Sequence, residues 1–126
     1  MIYHFCPAET WAAAVAAGEY TADTLATEGF IHLSGPEQVH LPANALARGR
    51  SDLVLLEVDE ARLPQPVRYE DGGDGMLFPH LYAPLPVSAV VAVHDFPPNP
   101  DGTFTLPPSV APPGGSPAGG LGGSRA

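Results

Sequence analysis

The chain has no lysine and one cysteine. Its five basic residues, all arginine, stand against 14 Asp and Glu, which leaves a net charge of −9 over 126 residues. Proteins that grip phosphate backbones or anionic membrane surfaces do so with clustered Lys and Arg, so neither nucleic acid nor a membrane is expected as a partner. The lone Cys6 excludes an internal disulfide and suits a reducing compartment. The opening MIYHFCPAETW lacks the basic and apolar regions of a secretory signal, and no run approaches the roughly 20 apolar residues of a membrane helix. A cytoplasmic location is the resulting expectation. No GxGxxG, GxxxxGK[ST], HExxH or paired CxxC motif occurs.

What is present is enough apolar content, 44%, for one modest hydrophobic core. The composition changes near Leu106: from Pro107 the chain reads PPSVAPPGGSPAGGLGGSRA, with too little apolar surface to offset its ordering entropy. One domain over residues 1–107 is expected, followed by a disordered Pro/Gly-rich tail over 108–126.

Ile2 to Phe5 has strand character, and Pro7 stands at a helix-opening position with Glu9 in the first turn. Trp11 and Val15 share a face of that helix, and Gly18 is its stop. Leu25 to Glu28 is expected to form one more turn. After a strand at Phe30 to Leu33, Ser34-Gly35-Pro36-Glu37 has capping-box spacing and predicts a second helix, interrupted at Pro42 and restarting as far as Gly49. The continuous apolar run Leu53 to Val58 is the best candidate for a central strand. Val67 to Glu70 and Leu77 to Tyr82 flank a Gly-rich loop as a hairpin, Val90 to Phe96 adds a strand, and residues 103–106 (TFTL) another short one. Helices early and strands later, without βα alternation, predict an α+β fold with two to three short helices and a small mixed or antiparallel split sheet.

Strand alternation sorts the polar candidates. His32 and Ser34 lie opposite Ile31 and Leu33; Phe78, His80 and Tyr82 share one face; His4 lies opposite Tyr3. His4, His32 and His80 therefore occupy strand positions, where an imidazole either lines a cleft or bonds to backbone in a half-buried setting. Ser34 has an adequate structural job as a helix cap. Glu57 at the end of the apolar strand marks the return to solvent, or else joins the three histidines as a metal ligand. Arg68 and Glu70 share a face as a surface ion pair of little weight. His40, His94 and Cys6 carry no usable pattern. His32-Leu33-Ser34 matches half of the paired H-x-[ST] motif of two-histidine phosphoesterases, but His80 is followed by Tyr82 at the matching position.

Together, IYHF at the start, GFIHLS at 29–34, LVLLEVD at 53–59, VRYE at 67–70 and LFPHLYAPLP at 77–86 resemble the family catalogued as domain of unknown function 952 (DUF952), in order from residue 2 to about residue 96. The resemblance implies an ADP-ribosyltransferase-like fold with NAD as ligand. It casts His4, on the first strand, as the group that holds ribose. It places Gly29, Phe30, His32 and Ser34 at the nicotinamide end, with Tyr82 as a further wall. The third strand departs from the pattern, because Met76 and Leu77 stand where an acid is expected, which leaves His80 as general base or as a polar contact. The catalytic set is thus His4, His32 and His80, and the expected activity is ADP-ribosyl transfer or NAD cleavage. A non-enzymatic metabolite- or protein-binding module and a histidine-based metal-dependent hydrolase are the alternatives.

Overall fold

A computed structural model describes residues 1–73 and 75–110; Asp74 and residues 111–126, which hold part of the expected hairpin loop and most of the expected tail, lie outside it. The element order is β1 (Ile2–Pro7), α1 (Ala8–Ala17), β2 (Glu19–Tyr20), α2 (Asp23–Thr27), β3 (Ile31–His32), α3 (His40–Leu46), β4 (Leu53–Val58), β5 (Arg68–Asp71), β6 (Leu77–Leu81), β7 (Leu85–Pro86) and β8 (Val90–Asp95). The described strands form three antiparallel sheets, ordered β1-β4-β8, β3-β6-β5 and β2-β7. A single bridge between Tyr3 and Ser34 ties the first sheet to the second. This is the expected α+β split-sheet architecture.

LVLLEV takes the central position because both of its faces are covered. Leu56 and Val58 enter one core with Ile2, Cys6, Ile31 and Leu81, whereas Leu53 and Leu55 enter a second with Tyr3, Phe96 and Phe104. A strand buried on both sides has no polar face to keep, so its sequence shows no alternation. Gly18 closes α1 in the left-handed conformation (φ 88°), with its N–H bonded to the Ala14 carbonyl. The buried position on α1 is Ala14 rather than Val15, which is 51% exposed. No helix among the described residues is long and apolar enough to cross a membrane.

Three local expectations fail for physical reasons. Ser34 does not cap a helix: its backbone N–H and carbonyl pair with Tyr3, and residues 36–39 form turns before α3 starts at His40. Pro42 does not break α3, since it falls in the first turn, where a backbone N–H would have no intrahelical acceptor. Residues 103–106 are not a strand; instead Phe104 is 1% exposed against Phe96, and its N–H donates to Asn44 Oδ1 at 2.6 Å.

Order also extends past the expected boundary at residue 107. Val110 is 5% exposed in the second core, and its N–H donates to the Pro107 carbonyl at 3.0 Å. Truncation after Leu106 should therefore cost about 2 kcal/mol, the worth of one buried aliphatic side chain. The chain truncated after Val110 is the reference for that cost. Equal midpoints for the two truncated chains would refute the packing role of Val110.

Candidate functional site

Gly29 ends α2 in the left-handed conformation (φ 90°), with its N–H on the Thr24 carbonyl. The Thr24 hydroxyl donates to the Phe30 carbonyl at 2.8 Å. This turn aims Phe30 and the short strand β3 at β6, where His32 pairs directly with His80. Opposed residues of an antiparallel pair point to the same side, so the two imidazoles meet, with ring centroids 5.2 Å apart and planes nearly perpendicular. Phe30 stacks on His80 at 4.1 Å and also contacts the rings of His32 and Tyr82.

Each of these two histidines has its own carboxylate. His80 Nδ1 lies 2.9 Å from Glu70 Oε1, and because a carboxylate only accepts, Nδ1 is the protonated nitrogen. Neutral His80 then keeps its lone pair on Nε2. The Tyr82 hydroxyl donates to the same Glu70 oxygen at 2.6 Å, and the Arg68 guanidinium sits 4.3 Å above the Tyr82 ring. The bonds from Tyr82 and His80 hold the Glu70 carboxyl below its ordinary range, and the same contact raises the Tyr82 phenol. His32 Nε2 meets Glu28 Oε1 at 3.1 Å, with both side chains about half exposed. His32 therefore keeps its lone pair on Nδ1.

His32 and His80 line a cleft of about 620 Å³ together with Phe30, Ser34 and Phe78, rimmed by Leu41, Leu46 and Met76. Gln38 ties its two sides together, accepting from the Gly35 N–H and donating to the Leu77 carbonyl. Among the described residues, Glu28 and Asp71 are its acidic lining, and no Arg takes part. Asp71 is occupied by the turn, where Oδ1 accepts from the N–H groups of Gly73 and Gly75. Ser34 is 4% exposed, and its hydroxyl has no hydrogen-bond partner among the described residues. A buried hydroxyl at the wall of a cleft without a protein partner is a position where a ligand gains by bonding.

His4 stands apart from this cleft. Its Nδ1–H donates to the His32 carbonyl at 2.6 Å, so Nε2 accepts the Tyr20 hydroxyl at 2.8 Å, and both nitrogens are spent. Burial pushes its pKa down to about 4, against the backbone bond to His32. His4 thus supports β3 from behind. Cys6 is buried as well, and burial pushes its thiol up to about 11, away from nucleophilic use. Glu57 does not join the three histidines; it pairs with His94 at 2.8 Å. No group of three or more His, Cys, Asp or Glu among the described residues is placed to hold a metal ion, so the metal-hydrolase alternative lacks its donor set there.

The two carboxylates escaped sequence reasoning in different ways. Glu28 stands four residues before His32, a visible spacing whose meaning depends on the Gly29 turn. Glu70 and Arg68 were legible as sharing a face, but Glu70 turns to His80 and Tyr82 across the hairpin, while Arg68 turns to the Tyr82 ring.

The sequence profile of the family described as "Protein of unknown function (DUF952)" matches residues 5–93. The crystal structure of protein CC0527 from Caulobacter crescentus is 38% identical, with a TM-score of 0.77 over 83% of this chain and 93% of that one. A crystal structure of a double mutant of CC0527 is 37% identical with the same TM-score and coverage. The solution NMR structure of CC0527 is 38% identical, with a TM-score of 0.73 over 83% of this chain and 91% of that one. No curated protein matches.

Proposed function

Because the chain belongs to the DUF952 family, whose description assigns no activity, its chemistry has to be argued from its own cleft, and we propose that this cleft binds the nicotinamide-ribose end of NAD and catalyses acid–base chemistry on it. One observation carries the reading: two imidazoles side by side on one wall of a cleft, each bonded to its own carboxylate. A carboxylate on one ring nitrogen sets the tautomer and stabilises the imidazolium that forms when the other nitrogen takes a proton.

The lining suits one end of NAD and not the other. Acidic and aromatic walls, with no Arg among the described lining residues, favour a positively charged pyridinium ring, whereas a diphosphate finds no cationic partner among them and would extend toward solvent. NAD bound in this way supplies a scissile bond between ribose and nicotinamide. Glu28 favours positive charge developing on the sugar, and Phe30 and His32 wall the ring. His80 Nε2 takes the proton of the attacking acceptor, filling the role left open by Met76 and Leu77. Ser34 donates to a polar atom of the ligand. His4 acts indirectly, by holding the His32 backbone.

Ligand-detected NMR and thermal shift with NAD test binding, and NAD consumption separates an enzyme from a non-enzymatic binding module. Saturation transfer to the nicotinamide protons is expected. His80→Gln should lower NAD consumption by about 10²- to 10⁴-fold, the usual loss on removing a general base, whereas His32→Ala, which removes a wall of the nicotinamide site, should chiefly weaken NAD binding. His32 is half exposed, so its replacement should leave the fold intact. Neither thermal shift nor saturation transfer at saturating NAD would overturn the proposal.

A further inference from the structure

Glu57 of β4 and His94 of β8 project toward the second core, near the segment that carries Phe104 and Val110. His94 Nε2 lies 2.8 Å from Glu57 Oε1, and His94 Nδ1 lies 2.8 Å from Ser109 Oγ. The proton positions follow from chemistry. Glu57 only accepts, so His94 donates from Nε2; neutral His94 then offers a lone pair at Nδ1, and Ser109 has to donate its hydroxyl proton. The result is a directed carboxylate–imidazole–hydroxyl relay assembled from three separate chain segments.

Its surroundings match such a role. The His94 and Glu57 side chains are only 9% and 16% exposed, while Ser109 is exposed and borders a cleft of about 500 Å³ with His94, Asn99 and Thr105. Asn99 spends one amide hydrogen on the Thr103 hydroxyl, and its second is a donor for charge developing on a bound carbonyl oxygen. Ser109 is held between two buried neighbours, Pro107 and Val110, in a turn closed by the Val110 N–H to the Pro107 carbonyl, and Pro107 and Pro108 restrict the backbone leading to it. A hydroxyl fixed on an imidazole whose far nitrogen is locked by a carboxylate is an activated nucleophile.

We propose that Ser109, His94 and Glu57 form a second reactive centre, in which Ser109 takes acyl groups from small activated esters. Ser109 Oγ bonds to the ester carbonyl carbon as its proton passes to His94 Nδ1. The carbon–alkoxide bond then breaks, and the alcohol leaves with that proton. Water, deprotonated by His94, releases the acid and restores Ser109. Glu57 is a positioning residue that keeps the proton on Nε2.

The full chain is treated with a fluorophosphonate probe, which bonds Ser109 Oγ to phosphorus with loss of fluoride, and the adduct is located by mass spectrometry. The p-nitrophenyl acetate burst is followed in parallel. Labelling at Ser109 is expected, with none at that peptide in Ser109→Ala and a rate about a hundredfold lower in His94→Ala. Glu57→Gln, which keeps an acceptor oxygen, should lower the labelling rate about tenfold with an unchanged thermal midpoint, a loss that a purely structural contact does not produce. Absence of a Ser109 adduct, or equal labelling rates in the parent and His94→Ala proteins, would overturn the proposal. Because the NAD cleft lies elsewhere, neither outcome bears on it.

Discussion

Acidification from pH 7 to pH 5 is expected to remove about 2 kcal/mol of folding stability through His4 alone, rising to about 3 kcal/mol near pH 4. Burial of the ring outweighs its bond to the His32 carbonyl, so the folded imidazole takes a proton only near pH 4, while the unfolded one does so near 6.5. Between those values the unfolded chain binds more protons. Stability is therefore complete above about pH 6.5 and declines as pH falls, at up to about 1.4 kcal/mol per pH unit. The depressed carboxyls of Glu70, Asp52 and Asp101 act in the same direction, but only below their ordinary range near pH 4. Urea unfolding of the parent protein and of His4→Gln across that window isolates the contribution. His4→Gln should be less stable at pH 7 and should show the flatter dependence. Parallel pH profiles for the two proteins would mean that the His4 ring exchanges protons freely with solvent, and His4 would return to consideration as a ligand-contacting group.

Phe104→Ala should destabilise the fold by about 3–5 kcal/mol, the usual cost of emptying a fully buried aromatic position. Phe104 packs on Phe96 with ring centroids 4.9 Å apart, and Phe96 in turn meets Phe5. Its backbone N–H is bonded to Asn44 of α3, so this one residue pins the segment after β8 to both the sheet and the helix. Losing it should loosen residues 104–110 together, and with them the placement of Ser109 against His94. Chemical denaturation gives the stability change. Hydrogen exchange at the Phe104 and Val110 amides gives the local one, since the first is bonded to Asn44 of α3 and the second to the Pro107 carbonyl. A loss below about 1 kcal/mol with unchanged protection would show that the aromatic cluster is not what holds the segment.

Taken by itself, the sequence determined what depends on neighbours a few residues apart. The unbroken apolar run of β4 specified a strand covered on both faces. Gly18 specified the end of α1, and the alternation around Ile31 and His80 specified which side each imidazole takes. These features are properties of a single strand or helix end, so periodicity and backbone preference suffice to reveal them. The family resemblance carried by GFIHLS and LFPHLYAPL added membership of the DUF952 family, which the family profile over residues 5–93 shows.

Tertiary structure decided which polar groups meet. Glu70 reaches His80 and Tyr82 only because β5 and β6 pair in one register, since a slip of one residue would turn Glu70 to the other face. His4 is spent on Tyr20 and the His32 carbonyl, which lie 16 and 28 positions away. Glu57 finds His94 across 37 positions, and Ser109 lies 15 further on. Hydrogen bonds act over about 3 Å, and the path of the chain between such partners leaves no local trace. Only the pairing of strands brings them within reach.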